Sequence, residues 1–378
     1  MRTRSAAITS QPTIELPRQF EVIDVDLEEP RHGELLVKMV ASGLCRSDDH
    51  IASGSLDVPA YPYIGGHEGA GIVQQVGPNT SGYESGNHVV FAFMPSCGRC
   101  RWCASGMQNL CDLGATMRTG ARFDDLTSFR VHLPDGRGVG QFCGIGTFSE
   151  YTTVSVNSVV KVPKDLPLDK LCLLGCGVGT GWGSAVNSAN VRPGETVIVM
   201  GAGGVGMNAI QGALHAGATH VIAVDPVAFK REKALEFGAT RAFENMVDAS
   251  EYVNGITNGQ GADSAIVTVG ILKGEHVGEA FSAIRKAGTV VVTGIAESSE
   301  VSLPVSPLEL TLYQKRIQGS LFGQMSPSWD ILKQVQMYRD GKLKLDELVT
   351  RTYSVDDVAQ GFEDMHAGLN IRGVVVFD

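Results

Sequence analysis

The sequence predicts an α/β protein: a doubly wound parallel sheet joined to a second domain that is mostly β. Three observations carry this. The first ninety or so residues alternate short apolar segments with Gly and Pro turns. A buried-type strand at 195–200 runs straight into Gly201-Ala202-Gly203-Gly204-Val205-Gly206 and then into a helical stretch. Beyond it strand-like and helix-like segments alternate, as a parallel sheet requires.

At 378 residues the chain is long enough for two cores, and its 43% hydrophobic and 19% charged content is ordinary for a soluble globular protein. A net charge of −10 argues against nucleic acid or an anionic membrane surface as partner. No apolar run approaches the roughly twenty residues a membrane span needs. Two arginines near the start are not followed by a long apolar region, so no secretory signal is expected and the expected compartment is the cytoplasm. There, eight cysteines read as metal ligands or buried thiols rather than as a disulfide framework.

In chain order, strands are expected at 20–25 and 34–40 around the Pro30-Arg31-His32-Gly33 turn, then at 69–76 and 88–93 around Gly77-Pro78-Asn79. Many short strands of this kind suggest a small barrel. Two functional stretches fall in its loops: Cys45-Arg46-Ser47-Asp48-Asp49-His50 and Gly65-Gly66-His67-Glu68. A thiolate and an imidazole, each beside carboxylates, suit a catalytic zinc ion that keeps one position open. The bland alternative is a buried cysteine and a satisfied histidine that never meet. Cys97, Cys100, Cys103 and Cys111 are spaced to close a tetrahedron around a structural zinc with no position left for substrate. Residues 113–146 read as a long excursion with a hairpin at 129–133 around Pro134-Asp135-Gly136, bordering a cleft or lying as a solvated surface loop.

A third zinc ligand is offered by Cys172, in an apolar setting, or by Cys176, flanked by glycines that allow close backbone approach; the spacing favours Cys176. The glycine turn at 201–206 lets a pyrophosphate reach a helix N-terminus. The next strand, at 220–224, ends in Asp225, an acid placed to bond adenosine ribose hydroxyls and repel a 2′-phosphate, which favours NAD over NADP. Lys230 either contacts the same ribose or is an ordinary helix lysine. A helix at 228–237, strands at 240–243, 263–269, 288–295 and 316–321, and a helix at 275–286 complete this sheet. The last fifty residues are expected to hold helices at 342–348 and 355–366 and a closing strand at 373–377 that returns to the first domain.

Taken together, the cysteine lobe and the stretches GGHEGAG, GCGVGTGWGSAV and GAGGVG, in this order, resemble the zinc-containing medium-chain alcohol dehydrogenases over the whole chain. FMPSCGRC, NLCDLGA, VRPGETV, AVDPVAFKR and NIRGV resemble the actinobacterial NDMA-dependent subgroup. The resemblance implies a GroES-like catalytic domain over 1–178 and 322–378, with a zinc lobe at about 95–113, and a Rossmann domain over 179–321. It implies two zinc ions per chain: a catalytic one on Cys45, His67 and Cys176, and a structural one on Cys97, Cys100, Cys103 and Cys111. It implies a proton relay through Ser47 and His50, Asp48 behind His67 and Glu68 behind the metal. Cofactor contacts would fall on Arg46, Gly201, Gly203, Gly204, Val205, Gly206, Asp225, Lys230, Val269, Thr293, Ile295 and Arg372. Ile271 stands where family members often carry an arginine.

The expected activity is oxidation of an alcohol to aldehyde or ketone with NAD(H), in the subgroup with a cofactor that stays bound and is recycled by an external electron acceptor. A thiol-adduct formaldehyde dehydrogenase shares these motifs and is the runner-up; a non-catalytic nucleotide binder would lack the metal ligands. A homodimer or homotetramer joined near 301–312 is expected from the resemblance.

Overall fold

The computed structural model describes residues 1–13, 20–297 and 299–378. The chain forms two compact units, Met1–Cys176 with Ser326–Asp378, and Gly177–Met325. Among the described residues no helix is long and apolar enough to cross a membrane.

The first unit is built on β-sheet. Arg2–Ile8, Phe20–Leu27, Val131–His132, Gly138–Gln141 and Tyr63–Ile64 close into a small barrel. Ala7, Val25, Leu27, Ile64, Val131 and Val139 meet in one buried cluster, and in Phe20–Leu27 the exposed Asp24 and Asp26 alternate with the buried Val25 and Leu27. A second sheet is centred on Glu34–Gly43, which pairs antiparallel with Gly69–Val76, Tyr151–Ser155 and Arg372–Val376. The final strand therefore does return to the first unit, with Val374 opposite Gly43.

One expectation is corrected here, and one open alternative is resolved. Residues 342–348 are not an amphipathic helix; only Asp346–Leu348 makes a 3₁₀ turn, and Leu343, Leu345 and Leu348 are buried from an otherwise irregular segment. The helix lies earlier, at Pro327–Arg339, started by proline in its first turn and stopped before Gly341. The 113–146 excursion is not a solvated loop. Its hairpin pairs Val131 with Val139 as part of the barrel wall. Arg122 and Arg130, 3% and 2% exposed, both bond the buried Glu34, with Nε–Oε1 distances of 2.9 and 2.7 Å. Burying these charges is tolerable because they pair with one another and because Glu28 and the Phe129 and Gly144 carbonyls take the remaining guanidinium donors.

The second unit is a six-stranded parallel sheet. Its spatial order is Arg241–Phe243, His220–Val224, Thr196–Met200, Ala262–Val267, Ile284–Val292, Arg316–Gly319. The order reverses beside Thr196–Met200, the topological switch point of a doubly wound fold, at whose carboxyl edge ligands bind. Ile198, Ile222, Ala265 and Val290 fill one face of the sheet. The helix expected to reach 286 ends at Ala283, where Ile284 enters the next strand opposite Ala262.

Candidate metal centres and nucleotide turn

Cys45 caps the amino end of the short helix Arg46–Ala52, which also carries Ser47, Asp48 and His50. His67 and Glu68 sit between the strands Tyr63–Ile64 and Gly69–Val76. Cys176 follows a 3₁₀ turn, Cys172–Gly175. The tertiary structure brings ligand atoms of Cys45, His67, Glu68 and Cys176 within 4.8 Å of one another. Cys172 is outside this group: its thiol donates to the Asp169 carbonyl at 3.4 Å, and burial pushes it far above the usual thiol range.

His67 Nε2 is buried without a hydrogen-bond partner among the described residues. A buried imidazole nitrogen aimed at two thiols is costly unless a cation takes its lone pair, so these donors fit zinc. Asp48 Oδ2 lies 3.0 Å from Nδ1 on the other side of the ring, and Asp48 Oδ1 accepts from the Gly66 backbone N–H at 2.7 Å. A carboxylate behind a ligating histidine selects the tautomer with Nε2 free for metal. Phe142 and Phe93 pack edge-on against the ring at centroid distances of 5.0 and 6.0 Å. These two aromatics carry no motif, and sequence reading missed them. The S–H of Cys176 and the His67 charge pull Cys45 well below the usual thiol range, and burial with that same shared proton pushes Cys176 up.

Ser47 Oγ lies 3.8 Å from Cys45 Sγ. His50 is only 3% exposed, which removes its reading as a surface histidine and leaves no direct exposed exit from its ring. Glu68 ion-pairs with Arg372, whose Nη2 also donates to the Leu44 carbonyl at 3.1 Å. That guanidinium nitrogen is therefore committed within the first unit. Burial pushes the Glu68 carboxyl up to about 7, even with Arg372 opposing it.

In the lobe, Cys97, Cys100, Cys103 and Cys111 also converge within 4.8 Å. The Cys97–Cys103 and Cys100–Cys111 sulfurs are 4.0 and 3.9 Å apart. A disulfide would need about 2.05 Å, whereas a tetrahedron with zinc–sulfur bonds of about 2.3 Å sets sulfurs roughly 3.8 Å apart. Backbone N–H groups of Cys97, Cys100 and Cys103 point at sulfurs of Cys111, Cys97 and Cys100 at 3.3, 3.3 and 3.5 Å. The backbone N–H of Cys103 helps draw Cys100 down to about 6, while burial and the neighbouring thiols push Cys103 up to about 12. Four thiols this close cannot all ionise without a cation among them, and the donor set fits zinc.

In the second unit the helix Gly204–His215 starts at the glycine turn. Gly201 has φ 96°, a left-handed conformation that favours glycine. A Cβ on Gly206 would meet the Gly201 carbonyl oxygen at 1.9 Å, so helix and strand pack only because it is absent. The Asp225 carboxylate accepts from Ala202 N–H at 2.8 Å and Val227 N–H at 2.9 Å, bracing the turn. Arg231, which sequence reading missed, donates to the carbonyls of Asp225 and Pro226 at 2.9 and 2.8 Å. Lys230 is half-buried in the helix Ala228–Glu236. At the carboxyl ends of neighbouring strands, Thr293 Oγ1 lies 2.9 Å from Ser184 Oγ, and the Ile295 carbonyl accepts from Leu272 N–H at 3.0 Å. Val269 packs against the core at its edge, and Ile271 is 47% exposed.

The family model described as "Alcohol dehydrogenase GroES-like domain" matches residues 31–164, and that described as "Zinc-binding dehydrogenase" matches 204–335. The chain is 48% identical over 376 residues to "Putative alcohol dehydrogenase D" of Mycobacterium tuberculosis, covering 100% of both. It is 48% identical over 376 residues to the "NDMA-dependent alcohol dehydrogenase" of Amycolatopsis methanolica, covering 100% of this chain and 99% of that one. The crystal structure of benzyl alcohol dehydrogenase from Acinetobacter calcoaceticus superposes with a TM-score of 0.88 at 29% identity, covering 100% of each chain. With two clusters of metal-type donors, a β domain and a doubly wound sheet all present, the chain belongs to the zinc-binding alcohol dehydrogenase family.

Proposed function

We propose that the protein moves hydride between a primary or secondary alcohol and NAD(H), giving an aldehyde or ketone. The observation that carries this reading is the buried convergence of Cys45, His67 and Cys176 with an unpartnered imidazole nitrogen. Zinc held by those three residues would act as a Lewis acid that lowers the pKa of an alcohol hydroxyl. NAD supplies the hydride acceptor, and the protein has only to position it.

The remaining work falls to side chains. Asp48 orients His67. The Ser47 hydroxyl, beside Cys45, takes the alcohol's proton and hands it towards His50 in the same helix. Because His50 is buried, the proton's onward path depends on the ribose hydroxyls or on water rather than on an exposed ring. Gly201, Gly203, Gly204, Val205 and Gly206 offer backbone to the pyrophosphate, with Arg46 adding a cation. Asp225 selects unphosphorylated ribose, Lys230 supports it, and Val269, Thr293 and Ile295 hold the nicotinamide end. Arg372 contributes through the nitrogens not committed to Glu68.

We further propose, from the likeness to the NDMA-dependent enzyme, that the dinucleotide stays bound through turnover and is recycled by an external acceptor. Gel-filtered protein should then oxidise alcohol with NDMA and no added dinucleotide, and should keep the reduced-nicotinamide absorbance band. Turnover that starts only when NAD is added would leave an exchanging dehydrogenase. A thiol-adduct formaldehyde dehydrogenase is the second reading, favoured by 36% identity over 388 residues to the "S-(hydroxymethyl)glutathione dehydrogenase" of Paracoccus denitrificans. Formaldehyde oxidation that requires added glutathione or mycothiol would select it. Assembly as a homodimer or homotetramer is supported by Val301, Leu308 and Leu312, which are 88%, 66% and 66% exposed near the edge strand Arg316–Gly319.

A further inference from the structure

Arg46, Asp49 and His366 form a polar cluster outside the metal ligands. Arg46 and Asp49 are one turn apart in the helix Arg46–Ala52, and His366 is the last residue of Val358–His366. Asp49 Oδ2 accepts from Arg46 Nη1 at 3.1 Å, and Asp49 Oδ1 lies 2.8 Å from His366 Nε2. The same Arg46 Nη1 lies 3.0 Å from His366 Nδ1. His366 Nε2–H can donate to Asp49 Oδ1, while Arg46 Nη1, 3.0 Å from Nδ1 and 3.4 Å from Nε2, lies against the imidazole ring rather than on the lone pair of either nitrogen. The Asp49 side chain is 6% exposed, that of His366 22% and that of Arg46 29%. Burial pushes the Asp49 carboxyl up, but His366 and Arg46 outweigh it and hold it below the usual range.

Only Nη1 of Arg46 is engaged; its Nε and Nη2 have no partner among the described residues. A guanidinium gripped at one nitrogen presents the opposite edge as a fixed two-pronged donor, the geometry that matches a phosphate. An unrestrained arginine would have to surrender rotamer entropy when its ligand arrives, whereas a pre-set one has already done so.

We infer that Asp49 and His366 are positioning residues that pre-set Arg46 for the dinucleotide's pyrophosphate. The inference rests on the proposed role of Arg46 in cofactor binding and adds a residue more than three hundred positions away in sequence.

The test uses full-length, zinc-replete protein freed of nucleotide, titrated calorimetrically with ADP-ribose and, separately, with adenosine, which lacks the pyrophosphate. His366→Ala should weaken ADP-ribose about tenfold and leave adenosine unchanged, the size of one lost charge-assisted contact. His366→Gln, which keeps a donor towards Asp49, should recover most of the loss. The double variant Arg46→Ala/His366→Ala should bind no more weakly than Arg46→Ala alone, because both remove one effect. Melting temperature and zinc content report on the fold. If Arg46→Ala weakens ADP-ribose and His366→Ala does not, the positioning role is wrong while the cofactor reading stands. Equal weakening of adenosine by His366→Ala also overturns it, because the role is then merely structural. If Arg46→Ala itself leaves ADP-ribose untouched, the assignment of Arg46 to the pyrophosphate fails, and the positioning role with it.

Discussion

Asp48 and His67 face each other at 3.0 Å, Oδ2 to Nδ1, inside the first unit, and both are essentially inaccessible to solvent. With Nδ1 facing Asp48, Nε2, buried without a hydrogen-bond partner among the described residues, is the nitrogen left for a cation shared with the thiols. Asp48 also accepts the Gly66 N–H, so one carboxylate ties the Arg46–Ala52 helix to the loop that carries the histidine.

Asp48→Asn should therefore keep the fold and lose metal. An amide can donate to Nδ1 and stabilise the wrong tautomer, and a lost partner behind a ligating histidine typically costs 10–100-fold in affinity (about 1.4–2.7 kcal/mol). Competition with a graded series of zinc chelators measures it. Unchanged zinc retention would show that Asp48 does not orient the ligand.

Removing one lobe cysteine should separate the two metal clusters. Cys103→Ser should halve the zinc content while Cys45, His67 and Cys176 keep theirs, since the clusters share no residue. The lobe from Cys97 to Cys111 should become protease-sensitive, because its short helix and 3₁₀ turns have few buried apolar side chains to hold them. Zinc analysis combined with limited proteolysis checks both statements.

The Glu34 network gives a pH dependence with a definite sign. Burial pushes the Glu34 carboxyl up, but Arg130 and Arg122 more than reverse it, and its net position lies below the usual carboxylate value. A depressed folded-state pKa means stability that is present above the unfolded value of about 4.3 and lost as pH falls through the folded value. Glu34→Gln leaves the buried Arg130 without its carboxylate, while Arg122 keeps Glu28 at 2.9 Å, and should cost about 3 kcal/mol near neutral pH. The gap between wild type and variant should narrow as the pH drops below about 4. Urea denaturation across that range would show it, and a gap independent of pH would contradict it.

Gly203 and Gly206 should respond differently to alanine. A Cβ on Gly203 meets nothing within 4 Å, whereas one on Gly206 collides with backbone at 1.9 Å. Gly206→Ala should lower thermal stability by several degrees or more, because no side-chain rotation relieves a clash with a carbonyl. Gly203→Ala should melt like wild type yet bind dinucleotide more weakly, since the added methyl occupies the approach to the pyrophosphate. Paired melting curves and NAD titrations compare the two.

The cysteine lobe was legible because Cys97, Cys100, Cys103 and Cys111 are close in sequence, so spacing alone limits where their sulfurs can go. The strand-turn-helix at 196–206 was legible for the same reason, and the strand His220–Val224 falls where its apolar run places it. Residues 342–348 misled: leucines at 343, 345 and 348 suit either one helical face or a buried irregular segment, and only packing chooses. The true helix, Pro327–Arg339, has a weak apolar face, with Trp329 and Leu332 left 69% and 41% exposed.

What the sequence determined by itself was local: donor types, their short spacings, the glycine turn and the periods of the strands, because nearby residues share a few backbone angles. What only tertiary structure decided was pairing at a distance: Glu34 with Arg122 and Arg130, Glu68 with Arg372, and Asp49 with His366. Those partners lie tens to hundreds of residues apart, so no periodicity connects them. They meet because burying a charge or a lone pair is affordable only where the fold delivers its complement.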